Sequence, residues 1–370
     1  MSSAQKKNKK AVLLLSGGMD SLLAGFVMKK LGWELYGFTV IFGFMNNTKN
    51  DMPSVDHDNT NNLFAVGNKE LTGTENIAAL LEIPLKRCII HREIIQLIKQ
   101  PRYGFGAGVN PCKDCKVMML QHAAEYMKTI DASYLVTGEV IGQRPNSQRS
   151  SQIALIERSA ELSGMIIRPL SGALLPPTCA EKDGLIHRND LLDINGRQRN
   201  RQIEALKHFG ITDEPYHPPG GGCLLADKGF SFRVRDMLHY TPDAHEDDFR
   251  LLRFGRHFRS PGGVKIIVGR NEYENNVLEY FKSGRFWLEA TDVFGPVVLL
   301  DQPCTNDDIN LAAELTSHYC KTKGAPNTGI TLHMSDIEKN IIVQQTRDSF
   351  IDLSVEHLQK NRFKNNNATV

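Results

Sequence analysis

The stretch Ala11 to Leu22, AVLLLSGGMDSL, constrains this chain more than any other. Ala11 to Leu15 is an unbroken apolar run, as a parallel strand buried on both faces requires. Ser16-Gly17-Gly18-Met19-Asp20-Ser21 interrupts it, and Leu22, Leu23, Phe26, Val27 and Leu31 then recur at helical spacing. The reading is strand, glycine turn, helix. Two glycines allow backbone torsions and close approaches that side chains resist, so successive N–H groups and the helix N-terminus can face an anion. Ser16 and Ser21 add hydroxyl donors, and Asp20 has the chemistry to hold Mg²⁺ against phosphate oxygens. The turn lacks the lysine of a GxxxxGKS/T loop and does not fit GxGxxG. An ordinary serine-glycine turn is the alternative, and the flanking strand and helix favour the phosphate loop.

At 370 residues the chain has room for at least two cores. Its 44 Lys and Arg against 42 Asp and Glu leave a formal charge of +2, so any nucleic-acid face has to be local. No apolar run approaches the roughly 20 residues of a bilayer span, and no signal-peptide core follows MSSAQKKNKK. A cytoplasmic protein with no membrane partner is expected. Seven cysteines without a secretion signal point to thiol or metal chemistry over a disulfide framework.

Trp33 to Phe44 reads as a second buried strand, making a parallel, right-handed β-α-β unit. Met45 to Lys69 is polar and aperiodic, a surface insertion or a loop over the site. A helix over 71–81, a strand over Leu85 to Ile90 and a helix from about Arg92 to Lys99 follow. The glycine-rich loop Pro101 to Pro111 then delivers Cys112-Lys113-Asp114-Cys115-Lys116 to a helix start. There the helix dipole and flanking lysines favour thiolate, the form that attacks sulfur or binds metal. A pair of unliganded thiols, or an adventitious disulfide, is the alternative. A fourth strand ends at Val136, with Thr137 to Gln148 at its C-terminal edge, where open parallel sheets bind ligands.

SGGMDS resembles the SGGxDS pyrophosphate loop of the PP-loop ATP pyrophosphatase family, whose members cleave ATP to AMP and pyrophosphate while adenylating a substrate. CKDCKVMM, TGEVIGQRPNSQ and Arg168-Pro169-Leu170 are similar, in order and spacing, to the CxxCKxxM, TGExxGQxxSQ and RPL segments of tRNA 4-thiouridine synthetases. The similarity covers about Lys10 to Gly210. It implies that Ser16, Gly17, Gly18, Asp20 and Ser21 hold pyrophosphate, that Gly138, Gln143 and Gln148 meet the nucleotide, and that Lys116 reaches ATP or substrate. The extra residue in TGEVIGQRPNSQ loosens the Gln148 correspondence. Phe38 and Thr39, late in the second strand, are further candidates for contacting adenosine. The family's N-terminal RNA-binding region has only about ten residues of counterpart here, and no rhodanese-like tail is read, so RNA and sulfur have to be held elsewhere.

Arg197 to Phe209 reads as a basic helix, and PYHPPGGGC, Pro215 to Cys223, as the clearest break in the chain. A glycine run before Cys223 lets backbone approach a cofactor; a linker ending in a buried thiol is the alternative. Cys112, Cys115 and Cys223 make three thiolates, enough for a 4Fe-4S cluster with one iron left open, as some thiouridine synthetases similar to this chain use. A CxxC persulfide carrier with no iron is the competing account. From about Leu252 the segments VKIIV, GRN, Trp287 to Val298 with Phe294-Gly295-Pro296, and a helix from Asp307 resemble the RNA-binding module of NFACT proteins. Arg253, Arg256, His257, Arg259, Lys265, Arg270, Lys282 and Arg285 supply a local positive stock for phosphates. Phe254, Phe258, Phe286 and Trp287 are candidates for stacking on bases, or for the core.

The expected fold is α/β, a doubly wound parallel sheet with a smaller α+β C-terminal domain. The expected domains are 1–210, a linker over 211–252, the RNA module over 253–345, and a helix and tail over 346–370. The resemblance implies ATP-dependent thiolation of a tRNA uridine, with ATP, Mg²⁺ and the cluster as cofactors. A cysteine desulfurase or sulfide would be the sulfur donor, and a homodimer the assembly. The alternatives are another PP-loop adenylation, which needs no cysteine, or a nucleotide-sensing protein that binds RNA or traffics sulfur.

Overall fold

A computed structural model describes residues 8–45, 73–144, 147–212, 223–321, 327–334, 337–344 and 349–367. These form two compact units, the first from 8–45, 73–106 and 110–212, the second from 107–109 and 223 onward. The expected insertion over Met45 to Lys69, beyond Met45 itself, and the Pro215 to Gly222 run lie outside the described residues.

The first unit runs β1 (Lys10–Leu14), α1 (Met19–Lys30), β2 (Glu34–Phe42), α2 (Gly73–Leu80), β3 (Leu85–Ile90), α3 (Arg92–Lys99), α4 (Cys112–Thr129), β4 (Tyr134–Thr137), α5 (Ser150–Ser159), β5 (Ile166–Ile167), α6 (Cys179–Lys182) and α7 (Asn200–His208). The five strands pair in parallel in the order β3-β2-β1-β4-β5. Side chains alternate across a strand, and both sides of β1 are covered. Ala11 and Leu13 join Leu22, Leu23 and Leu206 in one core, which places α1 and α7 on that face. Val12 joins Leu120, Ala123 and Ile156 in another, which places α4 and α5 opposite. Phe26 and Phe209 stack at 5.3 Å where α7 docks on α1. The doubly wound sheet is therefore as expected, and its order reverses between β1 and β4.

The second unit runs α8 (Lys228–Tyr240), α9 (Glu246–Leu251), β6 (Arg256–Arg259), β7 (Lys265–Val268), α10 (Glu272–Glu279), β8 (Phe286–Ala290), β9 (Val298–Leu300), α11 (Asn306–His318), β10 (Asn327–Met334), β11 (Ile337–Gln344) and α12 (Val355–Asn367). Its antiparallel sheet has the order β11-β10-β8-β9-β7-β6. Ala312, Ala313 and Leu315 of α11 pack on one face against Ile266, Leu288 and Leu332. Val277 and Leu278 of α10 cover Ile267 and Leu299 on the other. Residues 223–252, expected as a linker, fold instead as α8 and α9 of this unit, with Phe230, Val234, Met237 and Phe249 buried.

Candidate functional site

A ligand crevice forms at the carboxyl edge of a parallel sheet where strand order reverses, since the loops on either side diverge there. Here that position lies between β1 and β4, and the loops leaving them are Ser16 to Ser21 and Gly138 to Gln148. Gly17 takes a positive φ of 75°, which glycine adopts without strain. Gly18 is the N-cap of α1 and makes no side-chain cap, so the helix N-terminus is dressed by backbone alone. Ser21 Oγ donates to the Gly18 carbonyl at 2.8 Å and fixes the turn.

Asp20 joins the two loops. Gln143 Nε2 donates to its Oδ2 at 2.9 Å, while its Oδ1 is buried with no hydrogen-bond partner among the described residues. A carboxylate oxygen withdrawn from water is costly unless a cation or donor meets it, so Asp20 fits a Mg²⁺ ligand. Ser147 Oγ and Gln148 Oε1 are likewise buried without partners. Gly138 plays another part. A Cβ there would sit 2.4 Å from the Asp20 carbonyl carbon and oxygen, so glycine is required for the end of β4 to lie against the first turn of α1. Phe38 is buried and stacks on Tyr126 at 5.7 Å in the core, and Thr39 is also buried.

The Lys116 side chain is committed to an ion-pair network. Its ammonium meets Glu139, Arg168 Nε donates to the other Glu139 oxygen at 2.9 Å, and Arg168 also pairs with Glu157. Burial pushes the Glu139 carboxyl upward, but Lys116 and Arg168 outweigh it and hold the group down at about 2. The same acids hold the buried Arg168 above its ordinary value against desolvation. In the sequence Glu139 and Arg168 stand only as letters of the TGE and RPL segments. The signal available was a charge inside an apolar segment, MIIRPL, since a buried arginine needs carboxylates.

Cys112 and Cys115 lie in the first turn of α4, as expected. Asp114 between them is buried and accepts from the backbone N–H groups of Arg102 and Tyr103, both at 3.1 Å, which pins the glycine-rich loop to the helix. Beside it lies a cavity of about 250 Å³ bounded by Gly104 to Gly106, Cys112, Lys113, Arg149, Ser151 and Gln152. Arg149 is the N-cap of α5, so two helix N-termini, two cations and one thiol line a space with no carboxylate. That lining suits an anion or an electron-rich carbonyl. Cys223 belongs to the second unit, as the N-cap of a short turn over Leu224–Ala226. Among the described residues no group of three or more His, Cys, Asp or Glu is arranged to hold a metal ion.

The positive stock of the second unit is largely spent inside it. Arg259 and Lys265 pair with the buried Asp236, Arg270 with Glu274, Lys282 with Glu279, and Arg285 with Asp301. His257 is buried, and its imidazole is held well below its ordinary value by desolvation and nearby cations. Phe254 and Phe258 are buried and unavailable to bases.

Fold and site together define a doubly wound α/β domain with a glycine turn at its switch point, followed by an antiparallel α+β module. Residues 6–174 match the family described as thiamine biosynthesis protein (ThiI), and residues 255–352 match the NFACT protein RNA binding domain. It is 27% identical over 214 residues to a probable tRNA sulfurtransferase of Thermococcus kodakarensis, covering 56% of this chain and 46% of that one. It is 25% identical over 140 residues to the tRNA-specific 2-thiouridylase MnmA 1 of Syntrophus aciditrophicus, covering 35% and 33%. A solved 4-thiouridine synthetase in complex with RNA and ATP is 21% identical, with a TM-score of 0.37 over 59% of this chain and 45% of that one. The chain thus spans between a third and a half of the length of these relatives. No helix among the described residues is long and apolar enough to cross a membrane.

Proposed function

We propose that this protein uses ATP to activate a uridine carbonyl in tRNA and replaces its oxygen with sulfur. The observation that carries the reading is the pairing, within one unit, of a phosphate turn holding an orphaned Asp20 oxygen with an acid-free cavity beside Cys112. A PP-loop enzyme forming an amide or lysidine has no use for that thiol.

In this reading the uridine oxygen attacks the α-phosphate of ATP. The bond to the β-phosphate oxygen breaks, and pyrophosphate leaves against the backbone N–H groups of Ser16 to Ser21. Asp20 would hold Mg²⁺, which offsets the charge on the leaving group. Gln143 keeps the Asp20 carboxylate in place through the bond already formed. The Glu139 network fixes Lys116 at the start of α4 as a positive wall. The terminal sulfur of a persulfide on one CxxC cysteine then attacks the adenylated carbon, and AMP leaves with the former uridine oxygen. The second cysteine attacks the carrier sulfur, which releases the thiocarbonyl and leaves a disulfide for an external reductant.

The cluster version adds Cys223 to Cys112 and Cys115 as the residues that would hold a 4Fe-4S centre, whose chemistry would be to supply sulfide-level sulfur. It rests on ligand counting and on the glycine run before Cys223. In the persulfide version a cysteine desulfurase hands over sulfur already at the persulfide level; sulfide is the donor that suits the cluster version. A cytoplasmic location and a homodimer complete the reading, and light scattering on the purified chain reads the second. Mass spectrometry of tRNA nucleosides from cells with and without the gene is the test: loss of one thiouridine supports the proposal, and an unchanged profile refutes it.

A further inference from the structure

The turn between β8 and β9 carries the most exposed of the large hydrophobic side chains described, Phe294, at 90% exposure. Its backbone is held from several sides. Asn275 of α10 donates to the Gly295 carbonyl at 3.3 Å and accepts from the Val297 N–H at 3.1 Å. The Lys321 N–H donates to the Phe294 carbonyl at 3.0 Å, and the Gly269 N–H to the Val297 carbonyl at 3.0 Å. At Gly295 a Cβ would lie 2.5 Å from Cys320 Sγ, so glycine is needed for the turn to seat on the end of α11.

Asn275 therefore links two stretches of sequence, the one opening at Gly269-Arg270-Asn271 and the one containing Phe294-Gly295-Pro296, into a single device. A floppy loop would let its phenyl ring fold back onto the module. This turn is braced while the ring stays in water, so the ring is presented in a fixed place. Of the aromatics expected from the sequence to meet bases, Trp287 stacks on His333 at 3.4 Å with the Lys282 ammonium over it, Phe286 packs partly buried against the core, and Phe254 and Phe258 are buried.

We propose that Phe294 is a stacking platform for an unpaired nucleobase of the RNA bound by this module, with the exposed Lys321 beside it meeting a backbone phosphate. The inference rests on the RNA-binding reading of residues 255–352. A pre-set ring loses little entropy on binding, and every base has a π-face to offer it. A protein partner would need a wide exposed apolar patch, whereas beside Phe294 the turn exposes Thr291, Asp292 and Gly295, with Val293 half-buried and Pro296 buried.

The test compares the full chain with F294A, F294W and K321A in fluorescence-anisotropy titrations, at matched salt, against a single-stranded RNA and its duplex. F294A should weaken single-strand binding roughly tenfold, leave duplex binding alone and keep the salt slope, because stacking releases no counterions. F294W should retain the affinity, and its indole emission should be quenched by the single strand. K321A should weaken both RNAs and lower the salt slope by roughly one. Wild-type affinity in F294A, or an unquenched indole in F294W while RNA is bound, overturns the stacking role alone. Failure of the wild-type chain to bind either RNA overturns the RNA-binding reading and the proposal with it.

Discussion

Replacing Glu139 with Gln removes one carboxylate from between two cations, Lys116 and the buried Arg168, whose side chain is 3% exposed. The Glu139 side chain is only 16% exposed, so solvent screens the network little. A carboxyl held at about 2 against an ordinary 4.5 corresponds to on the order of 3 kcal/mol favouring the folded, ionised form. Truncating one partner of a buried pair typically costs about as much, because the charge left behind is uncompensated. Arg168 keeps Glu157, which bounds the loss from above. Because the folded value is depressed, this stabilisation is fully present above the ordinary carboxylate range and disappears as pH falls through about 2. Trp33 lies in the first unit, 5.6 Å from Tyr134, and reports its unfolding in a Trp287→Phe background. Denaturant titrations at neutral pH should show E139Q destabilised by about 3 kcal/mol, and the gap should close on acidification. A variant within about 0.5 kcal/mol of its parent, or a gap that ignores pH, would refute this account of Glu139.

D20N should cut pyrophosphate release roughly a hundredfold or more while tRNA affinity holds, as equilibrium binding and a coupled phosphate assay would show together. G138A should destabilise the first unit by about 1–3 kcal/mol in thermal melts, since the added methyl meets the Asp20 backbone rather than a movable side chain. C112S and C115S should abolish thiolation yet leave ATP cleavage, because neither sulfur serves the adenylation step; loss of both activities in a folded variant would contradict that division. If the cluster version holds, anaerobically purified protein is brown with about four irons per chain, and C223A loses iron and thiolation together. A colourless C223A that still thiolates tRNA leaves the persulfide version standing.

The parallel sheet was legible because its strands are buried on both faces and read as apolar runs between turn signals. The phosphate turn was legible because Gly17 and Gly18 interrupt such a run just before a helical period. The hairpin of β10 and β11 was not read: its second strand presents Ile337, Glu338, Lys339 and Asn340 to solvent, so little periodicity marks it. The two-residue β5 is too short for any pattern. Phe38 and the arginines of the second unit show a different limit. Their residue types fit the expected roles, but a strand position does not say which face is covered, and a count of cations does not say which carboxylates reach them. Gly138 was singled out as a nucleotide contact, and only the geometry ties its lack of a side chain to the Asp20 backbone.

The central claim is that the uridine carbonyl oxygen, not water and not a cysteine, attacks the α-phosphate. The direct measurement uses tRNA whose target uridine carries heavy oxygen at the replaced carbonyl, incubated with the purified chain, ATP, Mg²⁺ and a sulfide or desulfurase source. The account predicts that the heavy oxygen is recovered in AMP, mole for mole with thiouridine and pyrophosphate. Unlabelled AMP formed alongside thiouridine would contradict it.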